Sequence, residues 1–175
     1  MTTSEERVAK VRGWLAGRLP DDWFEGPVAV TIDREEITIV GRLTPPELPA
    51  DAGEDERAAA IAGRIKQFRE ETRERRVEVA RELESRSDRK VAWGVECGDR
   101  RQLFTTLAAP VMTRLRQPER QVLDTLVDAG VARSRSEALA WCVRLVGQHT
   151  EDWLGQLRDA MSHVEKVREA GPEAS

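Results

Sequence analysis

Hydrophobic positions along the chain change period several times, and each change marks an element. Val8, Val11, Leu15 and Leu19 recur at helical spacing with Trp14 beside them. They predict a first helix capped by Ser4, with Glu5 and Glu6 suiting its positive end. "LPDDWFEGP" breaks that pattern. Val28, Val30 and Ile32, then Ile37, Ile39 and Leu43, alternate with small or polar residues around "DREE", as in a β-hairpin with one buried face. "TPPELPADAGED", Thr44 to Asp55, is rich in Pro and acid and reads as a linker or surface loop. From Glu56 to about Arg86 there is no Pro, and Ile61, Ile65, Phe68, Thr72, Val79 and Leu83 trace one face of a long amphipathic helix. Its other face is dense in Arg and Glu. Val91, Trp93, Val95 and Cys97 alternate again, "CGDR" supplies a turn at Gly98 and Asp99, and "RQLFTT" returns as a partner strand. The two hairpins are expected to join in one small sheet covered by the long helix.

A different order of signals follows in "VMTRLRQPERQVLDTLVDAGVARSRSEALAWCVRLV", Val111 to Val146. Val111, Thr113 and Leu115 fall on one side of an extended segment, and Met112, Arg114 and Arg116 on the other. Pro118 suits the first position of a helix, where its missing N–H costs nothing. Val122, Leu123, Leu126 and Val127 give that helix a core face, and Gly130 ends it where a positive φ is needed. Ser134 or Ser136 caps the next helix with Glu137 near its positive end, and Leu139, Cys142, Val143 and Val146 form its apolar side. Gly147 then loosens the helix and Thr150 can cap another, with Glu151 and Asp152 in its first turn. Trp153, Leu157, Met161, Val164 and Val167 continue an apolar stripe. Packing against its own domain or a dimer mate is the ordinary use of such a stripe, and docking to another protein is the alternative. The final "GPEAS" reads as a frayed end.

The predicted class is α+β. Residues 1–43 would form a helix and hairpin, 44–55 a linker, 56–107 a long helix with a second hairpin, and 108–175 the strand–helix–helix unit with an extra C-terminal helix. Over residues 110–147 that unit resembles the ribbon-helix-helix DNA-binding family, carried by "TRLRQPERQVLDTLVDAGVARSRSEALAWCVRLV" and above all by the junction "AGVARSRSEAL". The resemblance implies a homodimer in which two copies pair their short strands antiparallel and lay that ribbon in a groove of duplex DNA. It places Met112, Arg114 and Arg116 as base-contacting residues, since Arg can donate two hydrogen bonds to guanine O6 and N7. It places Ser134, Arg135 and Ser136 against phosphate at the N-terminus of the second helix.

Charge shifts the picture only when divided along the chain. The whole carries a net charge of −4, which argues against nucleic acid. Yet acidic residues outnumber basic ones twelve to six over residues 1–55 and six to three over 150–175, whereas basic residues lead thirteen to ten over 56–105 and six to four over 106–149. The middle of the chain is therefore positive between acidic ends. Arg69, Arg73, Arg75 and Arg76 make the long helix an alternative RNA- or ribosome-contacting element.

Candidate chemistry is sparse. Cys97 and Cys142 have no CxxC spacing and read as buried thiols of a reducing cytoplasm. His149 and His163 are the only histidines and lie outside any zinc spacing. No base is placed for a Cys97 nucleophile, and no glycine-rich phosphate loop occurs. Asp21–Asp22 and Glu35–Glu36 fall in turns, where carboxylates are normally solvated. The N-terminus lacks the apolar core of a signal peptide, and no apolar run approaches a membrane span. The expectation is a cytoplasmic, non-catalytic, homodimeric DNA-binding regulator without cofactor or metal, with antitoxin-like regulators as a subtype. A scaffold that dimerises through the ribbon and binds proteins by its Trp-bearing helices is the second expectation.

Overall fold

In the computed structural model, which describes residues 4–170, the two hairpins lie side by side in one sheet. β1 (Ala29–Ile32) and β2 (Glu36–Leu43) form the first, and β3 (Lys90–Cys97) and β4 (Arg100–Leu103) the second. The Asp33 carboxylate closes the first turn by accepting from the amides of Glu35 and Glu36 at 2.9 and 2.6 Å. Gly98 turns the second at φ 60°. β2 and β3 run parallel, from Glu36 opposite Lys90 to Leu43 opposite Cys97, so the strand order is β1-β2-β3-β4. Parallel neighbours need a crossover. Here it is helical, through α2 (Glu54–Glu71) and α3 (Arg73–Ser87), and α1 (Ser4–Arg18) precedes the first hairpin. With six helices and four strands among the described residues, the class is α+β.

The two-residue period of the strands sorts their side chains. Ile37 and Ile39 of β2 and Trp93 of β3 pack with Leu15 of α1 and with Val79 and Leu83 of α3. Farther along the same face, Leu43, Val95 and Cys97 pack with Ile65 and Phe68 of α2. The stretch that breaks the first helical pattern supplies the plug between these clusters. Trp23 stands edge-on to Phe24, Phe68 and Trp93, with ring centroids 6.0, 5.6 and 6.3 Å apart. Such edge-to-face pairs add to the area they bury. Phe24 occupies the space over Gly41, where a Cβ would fall 2.2 Å from the ring. At the end of α1, Arg18 grips Glu82 of α3, with Nη2 donating to Oε1 at 2.6 Å.

The single long helix expected over 56–86 is instead two helices that meet at Thr72. Thr72 sits at φ −96°, ψ 2°, and its hydroxyl donates to the Phe68 carbonyl at 2.6 Å. A Thr hydroxyl bonded to the preceding turn bends a helix. Arg76 secures the bend: Nε donates to Thr72 Oγ1 at 2.9 Å and Nη2 to the Arg69 carbonyl at 2.8 Å. Its guanidinium lies 4.7 Å from the Phe104 ring centroid, and the residue as a whole is only 7% exposed. Burial, with Arg69 and Arg73 adding repulsion, pushes Arg76 down to about 10, so it is charged at neutral pH. Arg76 thus belongs to the interior, not to the solvated cationic face that the sequence pattern assigned to it. The Pro-rich stretch runs without regular structure as far as Gly53, and α2 starts at Glu54.

Residues 4–109 pack as one unit, and a second unit begins at Pro110. The second contains α4 (Gln117–Asp128), α5 (Arg135–His149) and α6 (Glu151–Ala170). The expected frayed end, "GPEAS", lies outside the described residues. No helix among those described is long and apolar enough to cross a membrane.

Because the Phe24 ring leaves no room for a methyl group on Gly41, Gly41→Ala forces the aromatic plug to shift. It should destabilise the protein by about 1–3 kcal/mol, read as a lower urea midpoint with an unchanged slope. An unchanged midpoint would show that the plug yields freely.

Candidate nucleic-acid interface

The second unit starts as chain without regular structure. From Thr106 to Arg114 no backbone N–H or C=O finds a hydrogen-bond partner among the described residues. The segment anticipated as a strand is thus not one: it has no regular structure and pairs with no strand among the described residues. Val111 is 85% and Met112 98% exposed. The segment is anchored only at its end, where Arg120 Nη1 of α4 donates to the Leu115 carbonyl at 2.7 Å and Leu115 packs into the helical core. Arg114 and Arg116 flank Leu115 outside that core. Both are exposed, and neither makes an ion pair among the described residues.

Local chemistry explains the two helices that follow. Arg116 is the N-cap of α4 in extended conformation, and Pro118 lies in the first turn. Gly130, at φ 73°, ends the helix: its N–H donates to the Val127 carbonyl, and Val131 N–H reaches back to Leu126. Ser134 caps α5 by accepting from Glu137 N–H at 3.2 Å, while Glu137 Oε2 accepts from Arg133 N–H at 2.8 Å. Of the two serines open from sequence, Ser134 is the cap. Ser136 is exposed in the first turn of α5.

Arg135 has a partner that sequence reasoning missed. Nε and Nη2 donate to the two carboxylate oxygens of Asp124 on α4 at 2.6 and 2.8 Å. Hydrogen bonding and charge from Arg135 hold the Asp124 carboxyl below the usual carboxylate range, and Asp124 in turn raises Arg135. The fork locks α4 to α5 and neutralises a cation that sequence alone assigned to phosphate. The two residues are eleven positions apart, beyond any helical spacing rule, so only the fold brings them together.

The core beneath is small. Leu123, Ala132 and Ala138 are its buried residues, flanked by the partly buried Leu115, Leu126, Val127, Leu139 and Cys142. Val122 of α4, Val131 of the intervening turn, and Val143 and Val146 of α5 remain exposed. α6 exposes a second row: Trp153, Leu157, Met161, Val164 and Val167. His149 closes α5 and His163 lies in α6, both exposed. Cys97, in the sheet unit, is buried, which raises its thiol above the usual range.

Comparison with known proteins now identifies the family. Residues 9–103 match the family described as "Rv1265-like protein, N-terminal domain", and residues 116–168 match "Mb1296 C-terminal domain". Uncharacterized protein Mb1296 of Mycobacterium bovis and uncharacterized protein Rv1265 of Mycobacterium tuberculosis are each 61% identical over 160 residues, 91% of this chain and 69% of the relative. No solved structure gives a significant match. The chain belongs to the Rv1265-like family.

Ser134→Ala leaves a first-turn amide of α5 without its acceptor and should cost about 1 kcal/mol, with Ser134→Asp retaining most of it; thermal melts of the two variants check this. The lowered Asp124 carboxyl adds stability that is present above the unfolded carboxylate range, near pH 4, and is lost as pH falls through its lower folded value. Asp124→Asn should therefore flatten the acid limb of a stability-against-pH profile. An unaltered limb would assign the acid sensitivity to other groups.

Proposed function

We propose that the chain is a homodimeric DNA-binding regulator that reads duplex DNA with a two-stranded ribbon, one strand from each copy. The observation that carries this reading is the unpaired, exposed segment Val111–Arg114 beside a small helical core. A lone strand exposes unpaired donors and acceptors, and pairing with its own copy removes that liability. The same pairing covers Val111 and the exposed valines of α4 and α5. Half-exposed valines of this kind gain on the order of 1 kcal/mol each when fully buried.

In that dimer Arg114 and Arg116 are the base-reading residues, and Met112 contributes apolar contact. Phosphate is taken at the N-terminus of α5 by the Arg135 and Ser136 amides and the Ser136 hydroxyl, since first-turn N–H groups have no helical partner. The Arg135 side chain serves chiefly to fix α5 against α4 through Asp124. The exposed row on α6 favours a second reading, a scaffold that dimerises through the ribbon and docks a protein through α6. The two readings share the dimer and part at Arg114 and Arg116.

Thr113→Pro removes a ladder donor and should convert a dimer to monomer in sedimentation equilibrium. Polarisation titrations with random and genomic duplexes at two salt concentrations test the next step. Arg114→Ala and Arg116→Ala should each lose about 1–3 kcal/mol on a preferred duplex. A dimeric parent without measurable duplex affinity leaves the scaffold reading; a monomeric parent removes both.

A further inference from the structure

The sheet unit holds an open cleft of about 530 Å³ between α1, the tip of the first hairpin and the end of α3. Its floor is apolar: Val11 and Trp14 from α1, Ile37 from β2 and Leu83 from α3. Its rim is cationic. Arg7 and Lys10 stand on α1, Arg86 near the end of α3, and Arg89 just before β3. No Asp or Glu side chain lines it among the described residues. In a chain of net charge −4 that is a local inversion of sign.

Several nearby acids are held by other groups, although the Glu82 charge also acts on Arg86. Glu82 is held by Arg18 and Glu84 by Lys90 and the Val91 amide. The Asp33 carboxylate is occupied with the turn amides, and Arg89 meets that residue only at its carbonyl, through Nε at 2.6 Å. Arg86 is poised over the Trp14 ring, its Cζ 5.1 Å from the centroid. Cations gathered around a hollow with low-dielectric walls focus their field into it.

We propose that this cleft is a binding site for a small amphiphilic anion, a compact apolar body carrying a phosphate or carboxylate. The volume lies in the range of small-molecule sites, which pair an apolar lining with a few polar groups that fix orientation. The apolar body covers Trp14, Ile37 and Leu83, and the anionic end reaches Arg7, Lys10 and Arg86. The site lies wholly within the sheet unit and stands apart from any nucleic-acid role of the helical one.

Calorimetric titration of the full chain tests this with four probes: 1-naphthyl phosphate, 1-naphthoate, the neutral 1-naphthol and inorganic phosphate. The naphthyl anions are expected to saturate, at least about tenfold more tightly than either the alcohol or bare phosphate, and to weaken with salt. Whichever anion binds better assigns the head group. The exposed reversals Arg7→Glu with Lys10→Glu should weaken that binding by at least about tenfold, whereas Lys66→Glu, away from the cleft on α2, should leave it unchanged. Circular dichroism confirms that each variant is folded. Equal binding of 1-naphthol, unaltered affinity in the double reversal, or no saturation by either anion up to about 1 mM would overturn the assignment.

Discussion

The constraint on which the rest turns is a shortage of buried carbon in the helical unit. Two of its three buried core residues are alanines, and Leu123 is the one large side chain fully enclosed there among the described residues. A domain of this size lives close to the limit at which folding offsets chain entropy. The fork of Arg135 on Asp124 and the Ser134 cap give α4 and α5 a defined geometry, but exposed ion pairs and caps contribute little beside apolar burial. In the proposed dimer, association would supply the missing burial and couple folding to oligomeric state. The unpaired segment before α4 and the uncovered valines follow from the same shortage.

The sheet unit is organised in the opposite way. Its centre is the parallel pair β2–β3, closed by α2 and α3 and plugged by Trp23, Phe24 and Phe68. Its polar groups are matched locally: Glu82 with Arg18, Asp33 with its own turn, Arg76 with two oxygens at the helix bend. That matching leaves four cations around a cleft that no carboxylate lines among the described residues. A sheet unit with a self-sufficient core and a helical unit without one divide the chain by energetics as well as by contacts.

How much of this was legible in the sequence follows from the range of each interaction. Period-two runs such as Val91–Cys97 and the capped helix after "SRSEAL" declare themselves within a few residues, and the structure has them where the pattern placed them. The bend at Thr72 was hidden because threonine is common on helix faces, and only its hydroxyl bond to Phe68 and the Arg76 clasp disclose it. Arg76 was legible as a charge but not as an interior group, since the Phe104 ring that receives it lies twenty-eight positions away. The Arg135–Asp124 fork and the cationic cleft escaped for the same reason: each joins elements that no periodicity connects. Arg114 and Arg116 were named on the expectation of a strand there, whereas the segment has no regular structure and Val111 and Thr113 are exposed along with Arg114.

One buried group has an optical consequence. Trp93 is enclosed where the two hairpins meet, and its indole N–H has no hydrogen-bond partner among the described residues, an omission that costs about 1–3 kcal/mol. An excited indole surrounded by carbon, with no water to reorganise around its dipole, emits near the short-wavelength edge of tryptophan fluorescence. Trp153 on α6 is 57% exposed and emits at the long-wavelength side. Of the five tryptophans, Trp93 is the most enclosed and Trp153 the most exposed, so the blue edge of the emission reports the sheet unit and the red edge the helical one.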